Sequence, residues 1–220
     1  MNSSLIIACP KGRLESKVVK YLAERGLVIE KDFFDDEIRK LTFNTNVKEI
    51  KIIKLKPSDI RSYTILGAAD IGFVGYDDIL ENSAENIVML KKTNIGKCRI
   101  SIASDMKKIN FSEKKVFKVA TKFQNISENY FKELNIQTET IKLNGSIELA
   151  VKYGVADMIL DLVQSGQTLK DNQLYENQII NNLSLIHISE PTRPERIWVG
   201  GRWGKKKKGG GGRGGGGGGG

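Results

Sequence analysis

The segment GVADMILDLVQSGQTL, which runs from Gly154 to Leu169, is the stretch that decides the fold class. Its mostly apolar residues Met158 to Leu162 predict a buried strand, and Asp161 lies near the carboxyl end of that strand. The chain then turns through Ser165 and Gly166 into a helical pattern. Because ligands of α/β proteins lie outside the carboxyl ends of the strands, the segment predicts such a protein with its ligand site here.

The turn after this strand has the groups that bind a phosphorylated sugar. Gly166 allows the backbone to approach a phosphate closely, while Ser165 and Thr168 supply hydroxyl donors. Asp161 is placed to accept hydrogen bonds from sugar hydroxyls or to hold a magnesium ion. A Ser-Gly-x-Thr turn on its own is more often a helix cap than a ligand site. The preceding strand and its acidic residue favour phosphosugar binding over that alternative.

Strand-like and helix-like segments alternate along the rest of the chain. Apolar runs predict strands at Leu5–Cys9, Ile50–Leu55, Ile71–Val74, Arg99–Ala103, Val116–Thr121, Thr138–Leu143 and Met158–Leu162. Helical spacing is found at Glu15–Arg25, Pro57–Leu66, Asp77–Glu81, Ile126–Leu134, Ser146–Tyr153 and after Gly166. This alternation predicts an α/β protein whose sheets are mostly parallel.

The strand and helix pattern occurs twice, which predicts two lobes. The stretches Gly67 to Gly75 and Gly154 to Asp161 both place a small residue and an aspartate just before a strand. We expect each lobe to be a mostly parallel sheet flanked by helices, with a ligand cleft between them. Residues 1–92 are assigned to lobe I, residues 93–176 to lobe II, and residues 177–182 to the start of a return to lobe I.

Residues 183–220 differ in composition from everything before them. They hold both tryptophans, the single histidine, a run of four lysines and a nearly pure glycine run. The text LSLIHISEPTR, Leu183 to Arg193, resembles a translated sequencing adapter, so we interpret 183–220 as an artefactual, disordered tail. The alternative is a natural glycine-rich or basic tail. The tail carries eight Lys or Arg and two Asp or Glu, hence most of the net charge of +9, which argues against a nucleic-acid partner.

The remaining composition is that of an intracellular protein. The two cysteines, Cys9 and Cys98, are far apart and have no metal-binding or redox spacing, which suits a reducing compartment. No apolar run approaches the roughly 20 residues of a membrane helix, and the first residues do not resemble a signal peptide. We therefore expect a cytoplasmic protein with no membrane partner.

Several motifs in the same order make the sequence similar to the ATP phosphoribosyltransferase family. The matching stretches are Pro10-Lys11-Gly12-Arg13, Ala69-Asp70-Ile71-Gly72 with Gly75 and Asp77, Ala120-Thr121-Lys122 with Asn125-Ile126 and Tyr130-Phe131, Ile141 to Ala150, and the loop from Asp161 to Leu169. The resemblance covers about Ile6 to Glu176. Family members continue with a strand and a helix that return to the first lobe, and Gln178 to Asn182 resembles the start of that strand. The adapter-like text then replaces the rest, so we expect a chain that is truncated at the carboxyl end and lacks part of its first lobe.

The resemblance implies a fold like that of type II periplasmic binding proteins and a reaction that joins ATP to 5-phosphoribosyl 1-pyrophosphate. It implies catalytic roles for Lys11, Arg13, Glu148 and Asp161, phosphoribosyl pyrophosphate binding by Asp161, Ser165, Gly166, Gln167, Thr168 and Leu169, and ATP binding by Lys11, Arg13, Asp70 and Asp77. Mg²⁺ is expected as the cofactor, although the sequence assigns no metal ligands.

Simpler interpretations exist for some of these residues. Lys11 and Arg13 also fit a solvated basic turn, Glu148 a helix start, and Asp70 and Asp77 caps of helices or turns. Further candidates for anion ligands, although such side chains are more often surface charges, are Lys56, Arg61, Arg99 and Lys122.

Two further questions concern the class of protein and its partners. Short-form members of the family pair with a regulatory subunit resembling histidyl-tRNA synthetase, and the compact connection Asn82 to Lys97 is more similar to that form. A non-catalytic, two-lobed binding protein for a small anion is the alternative, because fold does not fix function.

Overall fold

The computed structural model describes residues 4–35, 37–113 and 115–191, and strands alternate with helices along most of that length. The strands are β1 (Leu5–Pro10), β2 (Thr42–Asn44), β3 (Ile50–Leu55), β4 (Ile71–Gly75), β5 (Val88–Lys92), β6 (Cys98–Ser104), β7 (Phe117–Thr121), β8 (Thr138–Lys142), β9 (Met158–Val163), β10 (Tyr175–Leu183) and β11 (Leu185–Ser189). The α-helices are α1 (Glu15–Ala23), α2 (Pro57–Ile65), α3 (Tyr76–Asn82), α4 (Gln124–Glu133), α5 (Glu148–Lys152) and α6 (Gln167–Asp171), and a 3-10 turn covers Lys31–Phe34. The predicted α/β class is confirmed.

Lobe I is built on a six-stranded sheet in the order β2-β3-β1-β4-β11-β5. Strand β1 pairs in parallel with β3 and with β4, because helices α1 and α2 lie in the connections between these strands. Strand β2 pairs antiparallel with β3, and β11 pairs antiparallel with both β4 and β5. The sheet is therefore parallel at its centre and antiparallel toward both edges.

Lobe II is built on a five-stranded sheet in the order β10-β6-β9-β7-β8. Strand β7 pairs in parallel with β8 and β9, whereas β6 pairs antiparallel with β9 and β10. The prediction of mostly parallel sheets is thus wrong in this respect, and both sheets are mixed. Of the strands with antiparallel partners, β5, β6, β10 and β11 lie next to the crossings between the lobes, whereas β2 lies at the outer edge of the lobe I sheet.

The chain crosses between the lobes through residues 93–97 and again at Ser184. The second crossing lies later than predicted. Residues 177–182 do not begin the return to lobe I, because β10 stays paired with β6 up to Leu183, which lies opposite Cys98.

Part of the segment assigned to a disordered tail is a strand of lobe I. Strand β11 lies between β4 and β5, and Leu185, Ile186 and Ile188 are at most 2% exposed. The prediction of disorder is wrong for residues 183–191, because their apolar residues have a pattern that fills a sheet position whatever their genetic origin. Residues 192–220 lie outside the described residues, and the adapter origin of the coding sequence stays a prediction.

Helix α3 connects the hydrophobic cores of the two lobes. Its Ile79 is buried in the core of lobe I, whereas Leu80 packs against the core of lobe II. Tyr76 contacts both cores. The described helices reach at most ten residues, in α4, which is about half the length needed to span a bilayer.

Candidate active site

The predicted phosphate loop lies at the carboxyl end of β9. Asp161 is on this strand, and the chain leaves it through Gln164, Ser165 and Gly166 before α6 begins at Gln167. Gly166 has a φ of +80°, a left-handed conformation that a residue with a side chain adopts only at a cost. The Gln167 N–H donates to Ser165 Oγ at 3.3 Å. The backbone thus turns sharply where the sequence predicted a phosphate to bind.

A partly exposed ion pair between Arg99 and Glu176 supports this loop from the side of β6 and β10. Arg99 Nη1 donates to the carbonyl oxygen of Gln164 at 3.1 Å, and Arg99 Nη2 donates to Glu176 Oε2 at 2.7 Å. Ser101 Oγ donates to the other carboxylate oxygen of Glu176 at 2.6 Å. The hydrogen bonds from Arg99 hold the pKa of Glu176 below its ordinary value. Arg99 therefore fixes the loop instead of standing free as the anion ligand that its sequence position suggested.

A first cavity of about 160 Å³ adjoins the loop and has walls from both lobes. Asp161, Ser165, Gly166 and Thr168 line it from lobe II, and Glu148 lines it from the start of α5. Arg13 contributes from lobe I, where it follows the left-handed Gly12 in the turn after β1. With Leu169, which also lines this cavity, the structure thereby brings together seven of the residues that the sequence proposed for phosphosugar binding and catalysis.

A second cavity of about 240 Å³ continues the cleft, and Arg13 and Leu162 line both cavities. Lys11 and Asp77 contribute to it from lobe I, and Lys122 contributes from lobe II. Asp77 folds back over Gly75, where any added Cβ would collide with the Asp77 carboxylate. The two cavities form one cleft that has cationic side chains along its length and carboxylates on both sides.

The charged groups of the cleft influence the ionisation of Asp161. Burial raises the pKa of the Asp161 carboxyl, which a hydrogen bond from the Leu162 backbone and the charge of Lys122 partly oppose. The carboxylates of Glu148 and Asp77 raise this pKa further. Asp161 is therefore poorly solvated, and both positively and negatively charged side chains act on it.

Cys98 lines the second cavity and is affected by some of the same charged side chains as Asp161. Burial and the nearby Asp77 raise the pKa of the Cys98 thiol, while Arg13 and Lys122 act against that rise. A thiol with a raised pKa is a poor nucleophile at neutral pH, which fits packing and not chemistry at Cys98.

Three of the proposed residues have other surroundings in the structure. Asp70 is 2% exposed, and its Oδ2 accepts a hydrogen bond of 2.8 Å from the Ile6 N–H, so it anchors β1 inside lobe I and does not line either cavity. The side chain of Gln167 is exposed and donates to Asp171 at 2.7 Å. Leu169 is buried in the core of lobe II, so its contribution to the first cavity is an apolar wall.

Lys122 is the cleft residue that sequence reasoning undervalued. It follows directly after β7, at the carboxyl end of a parallel strand, and this position is the signal that identifies it. Two other cations that were considered as anion ligands are engaged elsewhere or lie outside the cleft. Arg61 lies 3.6 Å from Asp78, and Lys56 lines neither cavity.

The described residues contain no group of three or more His, Cys, Asp or Glu side chains arranged as a preformed metal site. A cation in this cleft would therefore share one or two protein carboxylates with substrate oxygens. That is the usual manner in which Mg²⁺ is bound beside phosphates.

Comparison with known proteins identifies the family. The sequence profile of ATP phosphoribosyltransferase matches residues 56–196, which include the first residues of the tail. An ATP phosphoribosyltransferase of Clostridioides difficile is 40% identical over 185 residues, which are 84% of this chain and 87% of the relative. One from Brachyspira hyodysenteriae is 43% identical over 168 residues, 76% of this chain and 80% of the relative.

Solved structures agree with the sequence comparison. A chain of the ATP phosphoribosyl transferase (HisG:HisZ) complex from Thermotoga maritima superposes with a TM-score of 0.73 at 30% identity, covering 90% of this chain and 94% of that one. The VFT2 domain of Bordetella pertussis BvgS has a TM-score of 0.56 at 12% identity, over 89% of this chain and 84% of that one, and shares the fold alone. The loop, the cleft and these similarities lead to one conclusion: the chain belongs to the ATP phosphoribosyltransferase family.

Proposed function

We propose that the chain joins ATP to 5-phosphoribosyl 1-pyrophosphate, giving N1-(5-phosphoribosyl)-ATP and pyrophosphate, the first step of histidine biosynthesis. Adenine N1 attacks C1 of the ribose, the N1–C1 bond forms, and the bond from C1 to the pyrophosphate oxygen breaks with its electrons. The observation that carries the proposal is the first cavity, where Arg13 of lobe I faces Asp161, Ser165 and Thr168 of lobe II. A two-substrate transfer requires such a cleft, because it must hold both reactants in line.

The phosphate loop is proposed to hold the 5′-phosphate of the sugar. Ser165 and Thr168 hydroxyls and the backbone N–H groups of Gly166, Gln167 and Leu169 are the donors, which gives the last two residues a backbone role. Their side chains lie in solvent and in the core, respectively.

Asp161 is proposed to accept hydrogen bonds from the ribose hydroxyls. Its burial removes competing water, so each such bond is stronger than it would be at the surface. Glu148, at the start of α5 and lining the same cavity, is proposed to contact the ribose or the cation.

The cations of the cleft are proposed to neutralise the phosphates of both substrates. Lys11 and Arg13 face the cleft from the turn after β1, and Lys122 faces it from the end of β7. Asp77 borders the same cavity and is proposed to contact ATP, whereas the buried Asp70 keeps only a structural role. Negative charge grows on pyrophosphate as it leaves, and fixed cations stabilise that charge without reorganising.

The donor set of the cleft fits a magnesium ion that arrives with the pyrophosphate. Asp161 and Glu148 are the carboxylates proposed to hold it, and when bound it neutralises the leaving group.

The chain's own groups work without acid–base catalysis by histidine. The single histidine, His187, lies on β11, and burial with the nearby Arg25 and Lys91 lowers its pKa to about 4. Catalysis is therefore assigned to positioning and charge neutralisation.

We also propose that the chain functions in the cytoplasm together with a regulatory subunit resembling histidyl-tRNA synthetase. The support is the similarity to a chain solved as part of a HisG:HisZ complex. A small-anion binding protein without catalysis is the competing function, supported by the shared fold of the BvgS domain.

A single assay separates the two functions. The chain is mixed with ATP, phosphoribosyl pyrophosphate, Mg²⁺ and the candidate regulatory subunit, and pyrophosphate release is followed; no release with retained ligand binding would favour the binding protein.

Asp161→Ala and Thr168→Ala should each raise the KM for the phosphosugar about tenfold, the effect of one lost hydrogen bond to a charged group. Thr42→Ala, at an exposed position on β2 at the sheet edge, is the matched control and should leave KM unchanged.

A further inference from the structure

Helix α4 begins without a capping side chain of its own. The residue before its first turn is Phe123, which makes no side-chain cap hydrogen bond, and the first turn contains no acidic residue. A helix normally satisfies the N–H groups of its second and third residues with a Ser, Thr, Asp or Asn at this position. In α4 these N–H groups belong to Asn125 and Ile126.

The missing cap is supplied by Glu81, which lies on α3 after a strand of lobe I. Glu81 Oε1 accepts from the Asn125 N–H and Glu81 Oε2 from the Ile126 N–H, both at 3.1 Å. The Asn125 side-chain amide donates back to the Glu81 carbonyl oxygen at 2.9 Å. Three hydrogen bonds therefore join the end of one helix to the start of another across the two lobes.

This position of Glu81 is unfavourable for α3 by itself. A carboxylate in the last turn of a helix faces the negative end of the helix dipole, whereas the same charge at a helix start is stabilised. Glu81 also adds to the negative charge that raises the pKa of Asp78. The favourable interactions of this side chain are therefore the ones that it makes with α4.

Helix α3 carries one residue of the substrate cleft, and a second residue of the cleft lies just before α4. Asp77 lies one helical turn before Glu81 on α3, and Lys122 lies three residues before Asn125. Both Asp77 and Lys122 line the second cavity, and both act on the pKa of Asp161. The separation of these two side chains depends on how α3 and α4 are held together.

We propose that Glu81 is a positioning residue that caps α4 from the other lobe and thereby fixes the distance between Asp77 and Lys122. Its role in substrate binding rests on the function proposed above, whereas its role in joining the lobes does not. The packing of Leu80 against the core of lobe II supplies the apolar part of the same junction. The hydrogen bonds of Glu81 are directional, so they set the orientation of α3 relative to α4.

Amide hydrogen exchange in the full chain tests the junction directly. In Glu81→Ala, we expect the amides of Asn125 and Ile126 to exchange about fivefold faster, the factor that corresponds to losing a typical helix cap. Glu81→Gln keeps one acceptor oxygen and should give an intermediate rate. Glu133→Ala removes an exposed glutamate from the last turn of α4 and is the matched control, with unchanged exchange at both amides.

Steady-state kinetics then separate positioning from plain stabilisation. We expect Glu81→Ala to raise the KM for both substrates about fivefold with a smaller change in kcat, measured well below the melting temperature. Unchanged exchange at both amides would overturn the proposal, and so would faster exchange with an unchanged KM for both substrates. A parent chain that releases no pyrophosphate would refute the proposed function alone, because the exchange rates would still decide whether Glu81 joins the lobes.

Discussion

Replacing Ile188 by alanine should destabilise the chain strongly if residues 183–191 belong to the fold. Ile188 is 0% exposed and packs in a core cluster with Ile60, Val74 and Ile186. Its Cγ1 also lies 3.3 Å from the place of a Cβ added to Gly72, so the strands are in close contact. Isoleucine to alanine in such a site costs about 3–4 kcal/mol, because apolar burial is lost and a cavity remains.

Urea unfolding followed by circular dichroism measures this loss. With a slope of about 2 kcal/mol per molar urea, the expected cost moves the midpoint down by roughly 1.5–2 M. The same substitution at Ile179, on the preceding strand β10 in the sheet of lobe II, is the matched control. Ile179 is 47% exposed, so its change should stay within about 0.5 kcal/mol.

The comparison between the two variants decides the issue. If Ile188→Ala and Ile179→Ala unfold at the same urea concentration as the parent, β11 does not occupy the sheet and the argument from burial fails. Ordinary mixed codons beneath residues 183–220 would separately refute the adapter origin of this segment, because that hypothesis concerns the gene and not the fold.

Two further expectations concern the cleft. Burial raises the pKa of Asp161 above its value in the unfolded chain, so ionisation opposes folding above that pKa and the penalty disappears in acid. Asp161→Asn should therefore melt at a higher temperature than the parent at pH 7, with a gap that narrows as the pH falls through the Asp161 pKa. Arg99→Lys loses the bidentate contact, in which Arg99 Nε and Nη2 donate to the two carboxylate oxygens of Glu176, and the bond to the Gln164 carbonyl. The KM for the phosphosugar should therefore rise roughly tenfold, which corresponds to about 1.4 kcal/mol, with a smaller change in kcat.

Each of these variants has a control at an exposed position. Asp105→Asn should not reproduce the pH-dependent gain in melting temperature, and Arg39→Lys should leave the KM unchanged. A constant gap at every pH for Asp161→Asn would show that its ionisation is not linked to folding. An unchanged KM for Arg99→Lys would show that the loop keeps its shape without the ion pair.

Much of the architecture could be predicted from local patterns. The apolar runs that became β1, β3, β4, β7 and β9 are bounded by turn residues, so periodicity alone identified them. The sharp turn between β9 and α6 was predictable for the same reason, since Gly166 and its flanking hydroxyl residues are contiguous in sequence. Features that depend on neighbours along the chain are the ones that a sequence reveals.

Features that depend on distant partners could not be predicted. The edge strand β2 is three residues long and has only one buried residue, Phe43, so it has too little pattern to detect. The family resemblance implied that Asp70 binds ATP. The sequence alone does not show that this aspartate is buried, nor that it bonds to Ile6, which is 64 residues away. The capping of α4 by Glu81 joins residues that no local motif connects.

The position of β11 also dictates the order in which the molecule can assemble on the ribosome. Residues 98–183 hold every strand of lobe II, so that lobe is complete once Leu183 has left the exit tunnel. The first strands of lobe I are synthesised earlier, but the sheet of this lobe stays incomplete until β11 has been synthesised. Until then, no strand occupies the position between β4 and β5. The amino-terminal half is synthesised first but completes its sheet last. We therefore expect it to be the part of the chain that is most exposed to chaperone binding or aggregation during translation.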